Sequence, residues 1–555
     1  MVPHLIHCNR IKLVVSFMSL LAIAVSFRVV SSFFVKYKKL INAHARSKQA
    51  AVDVLPENGT SCHSKATYDR FETVKTWTDQ HVDTLLVHWR GEDVEGYSLQ
   101  FRHIEFRSAL AAVLKHDDSV IISGIQFENA LNYTGNKLRS PLKINGYNKA
   151  MQYLFVPDTI TLSSCIEAAK RCSLIHALYL TVAETDTRNT ITDSYDRLAN
   201  IAVQNNAFAD MQVGQVNANQ TWSLRVRHYG LSDSNGNDDD NETTPNSKDR
   251  RYGERTRSIT LEQRALKALT PILCNLEGKV NLHNPDCKIY IFDGLLPRSN
   301  GHGTNDTREQ LSTTKLILAR RIASGARRKV SAIHPTTRIC VTNTPLCPLA
   351  SFIMTNIARI RATNDGFAVL DPYCGSGGTL LAAAMVLQIS NDERHSIAEH
   401  PLVGIEVCHD GIVSRDDIRR DFTTRNLTNP ITLLHGDSTQ PDVRRIAREA
   451  IGCRPFDAII ADPPYGIRES NKGASQPIQD LLRMIIDDRN AATPLLRTGG
   501  RLVVFIPHRV NDETKDEIFP TNEQLSAAGL ICEFCKEQPL NEMLSRWLIS
   551  YVCVR

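Results

Sequence analysis

The chain has 555 residues, of which 42% are hydrophobic and 23% charged, enough for about three globular domains and too apolar for a disordered protein. Its net charge of +5 is unevenly placed. Residues 1–52 hold eight Lys/Arg and no acid, which leaves 57 Lys/Arg against 60 Asp/Glu, a net −3, for the rest. Bulk charge therefore gives no case for a polyanion partner, and any such site on the body must be a local patch.

Residues 1–52 form a basic, hydrophobic N-terminal segment. Leu13–Phe27 is an unbroken run of apolar and small residues, and with the stretch to Val35 it reads as a signal-peptide core, a marginal membrane span, an organelle presequence or an extended gene start. As a span it carries more positive charge after it than before it. The body would then lie in the cytosol, with residues 13–35 as its membrane association.

A strand at Asp83–Trp89 precedes a helix over 101–116, in which Ile104, Phe106, Leu110 and Val113 share one face. A strand near Gln152–Asp158, a helix-like stretch over 163–180 and an alternating strand at Thr221–Gly230 complete an α+β pattern over residues 80–300. Residues 232–258 are polar and nearly free of apolar side chains, the composition of a disordered insert. A capping box at Thr260 then starts a further helix. Between Lys315 and Arg338 lie seven basic residues and no acid. Arg320, Arg321, Arg327, Arg328 and Lys329 are the candidate phosphate contacts, although a solvated helix face would look alike.

From residue 335 to the C-terminus short apolar strands alternate with helices, which predicts a mostly parallel, doubly wound sheet. The last two apolar runs have no helix between them and suit an antiparallel hairpin at the sheet edge. Fourteen cysteines are scattered, and Cys532 with Cys535 make the one close pair, read as two buried thiols and not as a metal site.

Ligands of such sheets bind beyond the carboxyl ends of the strands, and four of those ends carry acids: Asp371, Glu406, Asp437 and Asp462. Asp371 opens "DPYCGSGG", whose Gly375, Gly377 and Gly378 permit a tight turn and a close ligand approach. Glu406 is placed for ribose hydroxyls and Asp437 for an adenine amino group. In "FDAIIADPPYG", Pro463 and Pro464 end the strand and hold the chain extended. Asp462 and a prolyl carbonyl can then accept both protons of an exocyclic amine while Tyr465 stacks on its base, turning the nitrogen lone pair toward an electrophile.

These residues resemble the S-adenosylmethionine-dependent amino methyltransferases. The longer string "DPPYGIRES", with "LEGKVNLHNPDCKIYIF", "NTPLCPLASFIMTNIA" and "LSRWLISYV", resembles the catalytic subunit of the tRNA (guanine-10-N2)-methyltransferases. The resemblance implies a Rossmann-like methyltransferase domain over 335–555, preceded by a ferredoxin-like plus THUMP RNA-binding half. It implies S-adenosyl-L-methionine as cofactor, tRNA as substrate, no metal in the chemical step and a small zinc-binding activator subunit as partner. Carried over, Thr344, Asp371, Gly375, Gly377, Glu406 and Asp437 hold the cofactor, and Asp462, Pro463, Pro464 and Tyr465 hold the guanine amine. Tyr373 and Cys374 replace the aromatic and the aliphatic residue of the family's "DPFVGTGG", and Pro345, Cys347 and Pro348 replace its "SMD" segment. "DPPY" suits any aryl amine, so a DNA adenine or ribosomal-RNA guanine methyltransferase and a non-catalytic RNA-binding relative are the rival readings.

Overall fold

The computed structural model describes residues 84–90, 99–114, 125–131, 151–157, 159–187, 191–212, 214–215, 217–228, 261–295, 314–394, 398–408, 413–464, 477–491, 493–509 and 518–554. The N-terminal segment 1–52, the insert 232–258, Thr260 and Tyr465 lie outside the described residues. Among the described residues no helix is long and apolar enough to cross a membrane.

The described strands form two seven-stranded sheets. The first contains β1 (Thr84–Trp89), β2 (Gln126–Leu131), β3 (Met151–Phe155), β4 (Ile175–Thr187), β5 (Trp222–His228), β6 (Cys287–Leu295) and β7 (Thr314–Ser324). Its order is β2-β3-β1-β4-β7-β6-β5, antiparallel except for β5 and β6. One face buries Val87, Leu178 and Ile289 against the helices Leu99–Leu114, Leu162–Arg171 and Ile191–Gln204. The opposite face carries Tyr153, Tyr179, Tyr290 and Phe292.

Two sequence expectations change here. The stretch 163–180 is not one helix: the helix stops at Arg171, Cys172 is extended, and β4 starts at Ile175, where pairing with β1 and β7 overrides local propensity. In the helix Leu99–Leu114, Phe106, Leu110 and Val113 share the first sheet's core, whereas Ile104 and Phe101 pack into the core of the second half. The helix is apolar on two sides because it is wedged between the halves.

The second sheet contains β8 (Val369–Asp371), β9 (Leu402–Glu406), β10 (Ile431–His435), β11 (Phe456–Ala461), β12 (Leu496–Arg509), β13 (Leu530–Pro539) and β14 (Leu544–Cys553). Its order is β10-β9-β8-β11-β12-β14-β13. Strands β8 to β12 run parallel, with a helix in each crossover and with β8 and β11 at the centre buried throughout. The C-terminal hairpin is present, and β14 inserts between β12 and β13, antiparallel to both. The thiols of the close pair both lie on β13, where Cys535 is half-buried and Cys532 is exposed, a correction to the buried pair.

The halves meet in a buried polar junction. Glu105 accepts hydrogen bonds from Ser173 N (2.7 Å), Ser173 Oγ (2.7 Å), Leu174 N (2.9 Å) and Asn356 Nδ2 (3.0 Å). Arg171 reaches the other way and donates to the Ile360 carbonyl and to Ser390 Oγ (3.4 Å). Fully buried polar groups of this kind are tolerated because each finds partners across the junction.

Candidate active site at the carboxyl ends of the parallel strands

The strand order turns outward on either side of β8, so the crevice between β8 and β11 is the switch point at which such sheets bind ligands. The register sets the acids along one rim: His435 pairs with Glu406, Asp371 with Gly404 and Leu370 with Ile459. Asp371 and Glu406 end β8 and β9, Asp437 follows the end of β10 by two residues, and Asp462 follows β11. All four predicted acids therefore stand at neighbouring strand ends.

Asp371 is buried and accepts from Tyr373 N (3.0 Å) and Thr379 Oγ1. Burial pushes its carboxyl up to about 7, opposed by those hydrogen bonds and reinforced by the charges of Asp462 and Glu406. Glu406 accepts from Gly375 N (2.8 Å) and Cys408 N (2.9 Å), tying the glycine turn to β9. Asp437 is exposed and accepts from Thr439 N and Thr439 Oγ1, both at 2.8 Å. What burial it has works against its charge, but those bonds, Gln440 and the Arg444 charge hold the carboxyl below its usual range. It is an ionised acceptor fixed in direction.

Gly375 and Gly377 adopt φ of +47° and +77°, a region that side-chain-bearing residues rarely enter. At Gly377 space is limiting as well, since a Cβ there would lie 3.0 Å from Ile418 Cγ2. The departures from the family pattern are accommodated locally. Cys374 is buried with its Sγ 2.8 Å from where a Cβ on Gly404 would stand, and Tyr373, partly buried, packs against the core that contains Leu370 and Ala461. Thr344 is exposed on the segment before the helix Pro348–Ile357. That segment crosses the glycine turn, with Thr342 Cγ2 4.0 Å from a Cβ built on Gly375. Strand β11 stops at Ala461, ahead of half-buried Asp462, buried Pro463 and exposed Pro464.

The basic candidates divide. Arg320 turns from the others and is ion-paired with Asp210 at 2.7 Å, with Gln220 at 3.3 Å, so it is removed from the phosphate-contact set. Arg321 on β7, with Arg327 and Arg328 on the helix Arg327–Ala332, instead joins Arg90 just after β1, Arg227 on β5 and Lys288 on β6. Burial and then the charges of Arg327, Arg321, Arg90 and Arg227 hold His176 below its ordinary value, and burial and then His176 and Arg227 lower His88 to about 3. Lys288 is lowered by burial, Arg321 and Arg328. Lys329 reaches instead to Gln388 Oε1, 3.5 Å away on the helix Gly378–Arg394. Alternation along β6 and β7 puts Lys288 and Arg321 on the Tyr290 face, which motif reading alone does not reveal.

Sequence reading also passed over a buried network beside the glycine turn. Asp421, on the helix Arg415–Thr423, accepts from Ile339 N (2.9 Å), Cys340 N (3.2 Å) and Arg425 Nη1 (2.8 Å). An acid at i+3 from Ile418 on the helix's apolar stripe was the available signal.

Residues 335–514 match the RMKL-like methyltransferase domain model UPF0020. The tRNA (guanine(10)-N(2))-methyltransferase TRMT11 of Xenopus laevis is 27% identical over 315 residues, covering 53% of this chain and 61% of that protein. Its Homo sapiens counterpart is 26% identical over 323 residues, covering 53% and 64%. The tRNA (guanine(10)-N2)-dimethyltransferase of Methanothermobacter thermautotrophicus is 26% identical over 222 residues, covering 40% and 56%. The chain thus spans about three fifths of the length of the curated relatives it matches. The second sheet is a Rossmann-like methyltransferase domain, and across about half its length the chain is similar to the tRNA (guanine-10-N2)-methyltransferases, as its motifs suggested.

Proposed function

We propose that this chain transfers a methyl group from S-adenosyl-L-methionine to the exocyclic N2 of a guanosine in tRNA, at position 10. The observation that carries the reading is the rim of four strand-end acids around a glycine turn, with the rigid Asp-Pro-Pro step at its β11 end.

The residues fit the cofactor. Two neighbouring carboxylates, Asp462 and Glu406, add to burial in raising Asp371, and a sulfonium and an ammonium group bound there would offset their charge. Bound there, S-adenosylmethionine supplies an electrophilic methyl group from its sulfonium. Glu406 keeps acceptor capacity on each oxygen for ribose hydroxyls, since a carboxylate oxygen has two lone pairs and Gly375 and Cys408 use one each. Asp437 accepts from the adenine amino group, and Thr344 covers the site from the crossing segment.

Asp462 and a prolyl carbonyl accept hydrogen bonds from the two N–H groups of the guanine amine, and Tyr465 stacks on the flipped base; once N2 carries the methyl group, its surplus proton would pass to solvent. Orientation and preorganised acceptors, not a proton-shuttling side chain, would supply the acceleration.

The cationic face of Arg321, Arg327, Arg328 and Lys329, extended by Arg227 and Lys288, is the RNA contact, with aromatic rings on the same face. Residues 80–300 are read as the ferredoxin-like plus THUMP half. A small zinc-binding activator subunit covers an apolar edge of the methyltransferase domain, so the chain made alone would be poorly soluble and weakly active. The catalytic body is cytosolic, which the positive charge after Leu13–Val35 supports, so the sequons at Asn58 and Asn132 stay unglycosylated.

The test is methyl transfer by the full chain, purified from its own cells with its bound partners, to tRNA carrying guanosine or inosine at position 10. Inosine lacks only the 2-amino group. Transfer to guanosine and none to inosine is expected, and equal transfer to both, or to neither, rejects the assignment.

A further inference from the structure

Arg338 does more than add to the basic run in which it falls. Its side chain is 2% exposed, and its Nε lies 3.5 Å from Asp421 Oδ2, whose own side chain is fully buried. Its Nη2 donates to the Ser376 carbonyl and its Nη1 to Ser376 Oγ at 3.3 Å. Nη1 also stands 3.3 Å from where a Cβ on Gly378 would be, so the guanidinium lies against the first turn of the helix Gly378–Arg394. A cation there opposes the helix dipole, and the helix gains nothing electrostatically from its presence. What the arginine does hold is the glycine turn.

That turn is pinned at three peptides. Gly375 N donates to Glu406 at 2.8 Å, Gly377 N donates to the Cys374 carbonyl at 2.7 Å, and the Ser376 carbonyl between them accepts from Arg338. The first two restraints come from β9 and from the turn itself. The third comes from the segment that also bears Thr344. Asp421 fixes that segment through Ile339 N and Cys340 N, and Arg425 closes the group by donating to Asp421 at 2.8 Å and to the Thr337 carbonyl at 2.8 Å.

We infer that Arg338 is a positioning residue for the cofactor: held by Asp421, it locks the Ser376 peptide to the crossing segment so that the glycine turn and Thr344 approach one ligand in fixed relation. The inference rests on the reading of this site as an S-adenosylmethionine site. Positive φ at Gly375 and Gly377 leaves the turn several accessible conformations, and an external fork that grips one carbonyl selects among them. A lysine supplies the charge and three donors, but all on one nitrogen, so it cannot grip Ser376 and face Asp421 together as the guanidinium fork does.

The experiment is calorimetric binding of S-adenosylhomocysteine to the full chain with its bound partners, for the wild type, Arg338→Ala and Arg338→Lys. It is run well below each variant's melting temperature and beside circular dichroism, so that affinity is read on folded molecules. Expected is a loss of tenfold or more for Arg338→Ala and a smaller, several-fold loss for Arg338→Lys, larger than any loss in melting temperature explains. If Arg338→Ala fails to fold, the lysine variant decides alone. Wild-type affinity in a folded Arg338→Ala, or in Arg338→Lys where the alanine variant does not fold, overturns the positioning role and leaves the site reading intact. No binding by the wild type overturns the site reading, and this inference with it.

Discussion

The two sheets answer opposite electrostatic problems. The second gathers acids at the ends of parallel strands, where Asp371 is driven toward neutrality by burial and by its acidic neighbours. The first gathers cations across an antiparallel face, where His88 and His176 are driven toward neutrality by burial and by theirs. A net charge near zero for the body hides both concentrations. Net charge therefore says little about partners in a chain whose halves carry opposite local fields.

If this division of labour is right, lesions in one sheet should spare the other's property. The largest effect belongs to Asp462→Ala, which removes an acceptor for the reacting amine. A loss of about 10² to 10³ in single-turnover rate is expected, with cofactor and tRNA affinity much less changed. An unchanged rate at saturating cofactor would reduce the Asp-Pro-Pro step to a turn. Replacing both Arg327 and Arg328 with Glu should do the reverse. tRNA binding weakens by about tenfold or more, and the slope of log affinity against log salt falls by about 0.7–0.9 for each phosphate no longer neutralised, while single-turnover rate at saturating tRNA holds. A normal salt slope would place the RNA elsewhere.

How firmly the halves are joined is tested at their junction. Asn356→Ala leaves buried Glu105 one donor short and should cost about 1–3 kcal/mol in denaturant unfolding, with one cooperative transition retained. Two separated transitions would show that the halves are independent. The smallest effect is a dependence on pH. The folded Asp371 carboxyl titrates near 7, above the unfolded carboxylate value of about 3.9, so the stability it contributes is complete at low pH and is lost as pH rises through 7. A cationic ligand favours its ionised form. S-adenosylmethionine affinity should therefore climb with pH toward 7, by at most about tenfold per unit, with proton release seen by calorimetry in buffers of different ionisation heat. Binding that is flat over that range contradicts the unbalanced-carboxylate picture.

The site was legible from the sequence wherever one short segment carries both the fold and the chemistry. Asp371, Glu406 and Asp462 each stand at or just beyond the end of an apolar run that has to be a parallel strand, so the pattern that announces the strand also places the acid. Legibility failed where contacts are long-range. Arg320 and Arg321 are neighbours in the chain, yet strand alternation sends one to Asp210 and the other to the cationic face. Arg338 looked like one more positive charge because its partners lie 38 and 83 residues further on, at Ser376 and Asp421. The helix over 162–171 was overextended for a related reason, since β4 exists through pairing with strands before and after it.

The measurement that bears most directly on the account is mass analysis of tRNA nucleosides from cells in which this chain is deleted or replaced by its Asp462→Ala variant. N2-methylated guanosine at position 10 should be missing in both and restored by the wild-type chain. Methylation at that position persisting in the deletion, or a loss confined to another base, would contradict the assignment.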